Sequence, residues 1–341
     1  MDLGASTSVP PRVPVTALVI GHRGASGYRP EHTLASYRLA AEMGADFVEP
    51  DLVSTGDGVL VARHENEISG TTDVAEHAEF ADRRTTKTID GTDLTGWFTE
   101  DFTLTELKTL RAVERLPALR PRNTSFDGLE EIPTLQEIID LARHEGVGIH
   151  LETKHPSYFD SIGLSLEERL VEVLEANGYG RREDPVFIQS FETANLRELD
   201  DMTGVRLVQL IGSGAPFDLE VQGDERTYDD LVTGRGLDEV ASYADGIGPE
   251  KARMVRRDDE GRLQEPTVLV DEAHRQGLLV HAYTFRNENA FLPAELRQGA
   301  PASEAFAGAT GDAPAEYRLF FDLGVDGVFS DNPDTAVASR G

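Results

Sequence analysis

Two kinds of apolar pattern alternate along the chain. Short, β-branched runs begin near residues 18, 47, 148, 186, 205, 244, 278 and 326, and each is long enough for one strand. Between them, apolar residues recur at helical spacing, as in Leu34, Tyr37 and Ala41 or Ile138, Ile139 and Leu141. The spacing predicts helices from Thr33 to Gly44, Pro133 to His144, Leu164 to Ala176, from Thr193 onward, Pro266 to Gln276 and Tyr317 to Leu323. Eight strands alternating with helices predict an α/β fold, a (β/α)8 barrel, formed by one domain over residues 16–341. Residues 1–15, with Pro10, Pro11 and Pro14, read as an extended arm. A doubly wound sheet is the second choice, because polar residues close nearly every strand instead of gathering at one switch point. Two stretches interrupt the alternation. Residues 65–130 hold the only tryptophan, Trp97, and a short helix from Thr105 to about Val113, and read as a folded insertion after the second strand. Residues 286–314, rich in Ala, Glu and Gly, read as an insertion at the barrel rim.

Within this pattern the stretch 17–64 places polar groups where strands want apolar ones. The run Leu18, Val19, Ile20 ends at Gly21-His22-Arg23-Gly24, where α/β folds put ligand groups. The second strand, Phe47 to Val53, carries Glu49 and Asp51 two residues apart and so on one face. Pro50 between them removes a ladder N–H and predicts an irregularity. Too few residues follow for a parallel crossover, so Val59 to Ala62 must return as a hairpin. A two-residue turn at Gly56-Asp57 would pair Val53 with Leu60, Asp51 with Ala62 and Glu49 with His64, setting an imidazole across from a carboxylate. Further on, His150, Glu152 and Lys154 share one face of the third strand, adding a carboxylate and a cation at the same level.

Composition narrows the function classes. Lys and Arg number 32 against 62 Asp and Glu, a net charge of −30, which repels nucleic acid and anionic membranes. A negatively charged substrate would need a local cation. With no Cys, disulfides, thiolate nucleophiles and thiolate metal sites are excluded. No run of about 18 apolar residues occurs, so no stable membrane insertion is expected, and the first residues lack the basic and apolar segments of an export signal.

On a barrel, one rim would gather His22, Arg23, Glu49, Asp51, Glu152 and Lys154, with His64 joining through the hairpin. Three carboxylates without Cys suit a hard divalent cation such as Ca2+ or Mg2+. Two imidazoles can serve as an acid and base pair, and Arg and Lys with the cation make a phosphate clamp, so the set argues for cleavage at a phosphodiester. No phosphate-cradling Gly-rich loop with its Lys and no Gly-x-Ser-x-Gly elbow is present.

The segments HRGASGYRPEHT, FVEPDLV, GDGVLVARHE, LETK, IQSF, HAYTFR and GVDGVFSDNPD, in this order from about residue 17 to 335, resemble the glycerophosphodiester phosphodiesterase family, most of all its bacterial periplasmic and secreted branch. The resemblance implies hydrolysis of glycerophosphodiesters to glycerol 3-phosphate and an alcohol. It also implies His22 and His64 as the acid/base pair, Glu49, Asp51 and Glu152 as ligands to one divalent cation, Ca2+ before Mg2+, and Arg23 and Lys154 as phosphate contacts. Glu31 and Tyr283 match positions near the substrate. The family carries small diesters and glycerol phosphate polymers such as teichoic acid as possible substrates, and the resemblance implies a location outside the cytoplasm. A lipid-cleaving phospholipase and a non-catalytic phosphate-ester binding module are the competing readings. The first would want an apolar or basic surface, and the second no pair of titrating histidines.

Overall fold

The computed structural model describes residues 16–341; the N-terminal arm expected over residues 1–15 lies outside the described residues. Eight parallel strands form the core: β1 (Leu18–His22), β2 (Phe47–Glu49, resumed as Asp51–Ser54), β3 (Gly148–Thr153), β4 (Val186–Ser190), β5 (Arg206–Ile211), β6 (Gly246–Pro249), β7 (Leu279–Phe285) and β8 (Gly327–Ser330). Hydrogen bonding closes the ring. Leu18 pairs with Gly327 of β8, Phe47 with Gly148 of β3, and His281 of β7 again with Gly327. Closure excludes the doubly wound sheet, and the fold is the (β/α)8 barrel. Helices α1 (Leu34–Glu42), α2 (Leu135–Glu145), α3 (Glu167–Ala176), α4 (Thr193–Met202), α5 (Gly234–Val240), α6 (Leu269–Arg275), α7 (Ala313–Asp322) and α8 (Pro333–Ser339) are the principal helices between and after the strands. Thr33 caps α1 by accepting from the Ser36 N–H, and Thr134 with Glu137 forms a capping box on α2.

The barrel interior holds its own small core of Ile20, Phe47, Phe187, Val208 and Phe329. Space there is tight: a Cβ on Gly148 would sit 2.2 Å from the Phe47 ring, so the third strand has to begin with glycine for that ring to lie inside. His150 belongs to this layer, stacked on Phe187 and 3.1 Å from His281, which makes it a core histidine below the level of Glu152.

Four local expectations are corrected or refined. The second strand does break at Pro50, into Phe47–Glu49 and Asp51–Ser54. The hairpin register is one residue away from the expected one: Leu52 pairs with Ala62, Val53 with Val61 and Ser54 with Leu60. The reason is Gly58, at φ +79, which lets the chain turn through a three-residue loop closed by Thr55 N–H to Val59 O instead of the two-residue turn at Gly56-Asp57. Asp51 O therefore accepts from Arg63 N–H, and His64 is not across from Glu49. The helix expected from Thr105 to Val113 is a single capped turn, Leu104–Leu107. Pro266, expected to open a helix, ends an antiparallel pair (Val255–Arg257 with Leu263–Pro266), and α6 starts three residues later.

Candidate active site

The C-terminal mouth of the barrel opens into a cavity of about 650 Å3 lined by His22, Arg23, Glu49, His64, Glu152, Lys154 and Tyr283, among others. Of the residues singled out in the sequence, only Asp51 and Glu31 are set back from its wall.

Glu49, Asp51 and Glu152 are all buried, and each offers an oxygen within 4.8 Å of the other two. Glu49 Oε2 accepts from the Arg23 N–H (2.8 Å) and Oε1 from Gln189 (3.1 Å). His32 Nε2 lies 2.9 Å from Asp51 Oδ2, and the other His32 nitrogen is 2.7 Å from the Tyr37 hydroxyl. Glu49 and Asp51 are thus each aimed by further polar groups. Burial, with Asp51 and Glu152 beside it, raises the Glu49 pKa well above the usual range. Burial, against the pull of Lys154 but reinforced by Asp51, pushes Glu152 up to about 8. Burial opposes the charge on Asp51 as well, but Lys154 and His32 hold its pKa well below normal. Three crowded carboxylates, of which Glu49 and Glu152 keep protons when no cation is bound and Asp51 stays ionised, are a ready set of hard donors for a divalent cation. Asp51 Oδ1 is buried and has no hydrogen-bond partner among the described residues, which fits a ligand atom reserved for an ion.

Arg23 follows β1 at φ +58, and its guanidinium reaches between acids, with Nη1 donating to Glu31 (3.0 Å) and Nε 3.4 Å from Asp51. Glu31 is gripped by a second arginine as well, Arg115, through Nε (2.9 Å) and Nη2 (2.7 Å). Burial works against its charge, but Arg23 and Arg115 keep its pKa well below normal. Both Glu31 oxygens are engaged, so its visible work is to fix Arg23. Lys154 Nζ lies 2.7 Å from Glu152 Oε1 and 5.6 Å from the Phe191 ring centre. Tyr283 lines the cavity with its ring, its hydroxyl donating to Ile211 O (2.9 Å).

Both histidines set Nδ1 beside a carboxylate, His22 in a hydrogen bond and His64 in a close ion-pair approach. His22 Nδ1 is 2.5 Å from Asp331 Oδ1, and Asp331 is itself fixed by Arg120 (2.5 Å) and Arg286 (3.0 Å). Burial and then Arg23 lower the His22 pKa to about 4 in spite of Asp331. His64 Nδ1 is 2.6 Å from Glu65 Oε1, and burial, Arg23 and Lys154 hold its pKa well below 6.5. In both rings Nδ1 faces a carboxylate, which leaves Nε2 for a substrate. Behind Glu65 the chain of contacts continues: His155 Nε2 is 3.0 Å from Glu65 and its Nδ1 is 2.5 Å from Asp90, at the tip of the hairpin Thr85–Ile89/Thr92–Gly96. The insertion is thus pinned to the rim directly behind His64.

This clamp has a pH signature. Burial works against a charged His155, but its bonds to Asp90 and Glu65 raise its pKa to about 9. A raised folded-state pKa adds stability that is complete below the unfolded value of about 6.5 and is lost as pH climbs through about 9. Thermal denaturation of the metal-free protein should therefore show stability falling by roughly 3 kcal/mol across that window. His155→Gln should flatten the decline, and an unchanged slope in that variant would remove His155 as its source.

Asp331, Gln189, His32, Glu65, His155 and Arg286 were not singled out by sequence reasoning. The first four and Arg286 sit in or beside the motif segments DNPD, IQSF, PEHT, RHE and TFR, each at a strand end or the loop that follows, and that placement was the available signal. Arg115, Arg120 and Asp90 carry no comparable mark.

Residues 22–335 match the Glycerophosphoryl diester phosphodiesterase family. The chain is 38% identical over 327 residues to glycerophosphodiester phosphodiesterase GDPD6 of Arabidopsis thaliana, covering 92% of this chain and 82% of that one. It is 30% identical over 352 residues to the glycerophosphodiester phosphodiesterase of Haemophilus influenzae, covering 94% and 88%. Among solved structures, an Oleispira antarctica phosphodiesterase in complex with the product sn-glycerol-3-phosphate superposes with TM-score 0.59 at 22% identity, over 94% of this chain and 96% of that one. A glycerophosphodiester phosphodiesterase from Agrobacterium tumefaciens gives TM-score 0.59 at 19% identity, over 94% and 99%, and both likenesses bear on the fold. With the match running through every segment that builds the cavity, the chain belongs to the glycerophosphoryl diester phosphodiesterase family.

Proposed function

We propose that the protein is a metal-dependent glycerophosphodiester phosphodiesterase that releases glycerol 3-phosphate and an alcohol. The observation that carries this reading is the convergence, in one cavity, of the buried triad Glu49, Asp51 and Glu152 with His22, His64, Arg23 and Lys154. Glu49, Asp51 and Glu152 would hold one divalent cation, Ca2+ before Mg2+, whose contribution when bound is to offset charge on the phosphate oxygens.

The remaining steps belong to the chain's own side chains. Arg23 and Lys154 orient the phosphate and offset its negative charge. One histidine, through Nε2, takes the proton of the attacking oxygen as the bond to phosphorus forms. The other, protonated on Nε2 with the anionic diester beside it, gives that proton to the alcohol oxygen as the P–O bond to that alcohol breaks. Across the full reaction, water supplies OH to phosphorus and H to the alcohol. Asp331 and Glu65 hold the two rings in orientation.

A glycerol phosphate polymer is a second substrate within the same proposal, since it presents the same diester at each unit. A location outside the cytoplasm also belongs to it, resting on the resemblance to periplasmic and secreted members; fractionation of source cells tests that part. Among the described residues, no helix is long and apolar enough to cross a membrane. The experiment that tests the activity is release of glycerol 3-phosphate from small glycerophosphodiesters with Ca2+ or Mg2+ added. Absence of turnover by the folded protein with either ion, on small diesters and on polymer, would overturn the reading.

A further inference from the structure

The cavity extends beyond the acidic cluster into a lobe that the barrel itself does not build. Lys251 comes from the segment after β6, Arg257 from the antiparallel pair that follows, and Arg286 and Phe291 from the insertion after β7. Lys251 Nζ lies 2.8 Å from Glu316 Oε2, and Arg257 Nη2 lies 3.1 Å from Glu316 Oε1, so one carboxylate answers two cations. Arg286 donates through Nε to Asp331, which Arg120 and His22 already share.

The cations keep spare donors. Arg257 Nε and Nη1, and both Nη atoms of Arg286, make no hydrogen bond to other described residues, and Lys251 Nζ bonds only to Glu316. Glu250 stands at the exposed lip and is the remaining acid of this lobe. In a chain of net charge −30, a walled lobe with three cations and unused donors is a local concentration of positive groups. Burial lowers the Lys251 pKa even with Glu316 beside it, which agrees with a positive charge not fully answered by the protein.

The aromatic side chains point the same way. Of the rings that line the cavity, Phe291 is capped by Arg286 at 4.6 Å and Phe191 has Lys154 at 5.6 Å. Those rings already carry protein cations and are poorly placed to cage a quaternary ammonium. Arginine forks with free Nη groups suit a phosphate instead.

We propose that Lys251, Arg257 and Arg286 form a second anion subsite, and that the preferred substrates are glycerophosphodiesters whose alcohol carries a further phosphate. The proposal rests on the reading of the acidic cluster as the hydrolytic centre and adds the substrate class. The phosphorylated alcohol can come from a small diester or from the next unit of a glycerol phosphate polymer.

The test compares kcat/KM of the metal-loaded full chain on glycerophosphocholine, glycerophosphoglycerol, glycerophosphoglycerol phosphate and a glycerol phosphate polymer, at about 20 mM and about 300 mM salt. The phosphorylated alcohol should be preferred over choline by about tenfold or more at low salt, mainly through KM, and the preference should shrink at high salt. Lys251→Gln with Arg257→Gln should bring the ratio near one. A choline diester turned over as well as the phosphorylated one by wild type overturns the subsite and leaves the hydrolytic reading standing. Fast small diester with slow polymer assigns the lobe to free phosphorylated alcohols, and comparable rates extend it to the polymer. Calorimetry with glycerol bisphosphate against glycerol 3-phosphate reads the subsite without turnover and without any variant. Tighter binding of the bisphosphate by about tenfold supports it, and equal binding removes it.

Discussion

Replacing His22 or His64 with alanine is expected to lower kcat for glycerol 3-phosphate release by about a thousandfold or more while the protein stays folded. Proton transfer by a positioned side chain contributes roughly 10^2 to 10^4, and each ring serves a different proton, so losing either stalls the reaction. The double variant should be little worse than either single one, because groups that act as a unit are strongly non-additive. Stability should hold. Without His22, Asp331 keeps Arg120 and Arg286; without His64, Glu65 keeps His155. Neither truncation therefore strands a buried carboxylate, which is the usual cause of a large destabilisation. Asp331→Asn separates orientation from proton transfer: it should reduce kcat by less than His22→Ala, with KM almost unchanged. Single-turnover rates and melting temperatures of the four variants decide the matter. More than a tenth of wild-type kcat in His22→Ala or His64→Ala would end the acid/base assignment.

The barrel is legible in the sequence because strand-length β-branched runs and helical spacing report burial directly, and burial is what a closed parallel sheet demands of each strand. The irregularity at Pro50 is legible for the same kind of reason, a missing N–H. The hairpin register is not, because Gly56-Asp57-Gly58 supports either a two-residue or a three-residue loop, and the choice is made by Gly58 entering the left-handed region. His64 reaches the cavity all the same, since it lies just beyond the paired strand. Residues that orient the site are hardest to read. Asp331 meets His22 across 309 residues of sequence, and Arg120 meets Asp331 across 211, contacts that only ring closure and the insertion bring about. Lys251 and Arg257 carry no mark in the sequence, and with Arg286 they become a lobe only because the segment after β6 and the insertion after β7 line the same mouth.

Removal of the divalent cation is expected to abolish turnover and to do so reversibly, and its binding should weaken as pH falls. Burial and Asp51 push Glu152 up to about 8, and burial with Asp51 and Glu152 raises Glu49 well above normal, so the metal-free cluster holds protons at neutral pH. An entering cation must displace them, hence affinity is highest above about pH 8 and declines toward pH 6, with protons released on binding. Calorimetric titration of Ca2+ and Mg2+ at several pH values, in buffers of different ionisation enthalpy, measures both the affinity and the proton count. Glu49→Gln and Glu152→Gln should each weaken binding by at least tenfold, because each removes one of the three anionic donors that the described residues bring together there. His32→Gln offers a finer check: it leaves all three ligands but removes the group that aims Asp51, so it should weaken binding less than loss of a ligand does. Metal affinity that is flat from pH 6 to 9 would mean the triad is already fully ionised when empty. Unimpaired turnover by the stripped protein would mean that Arg23 and Lys154 suffice to offset the phosphate charge without a cation.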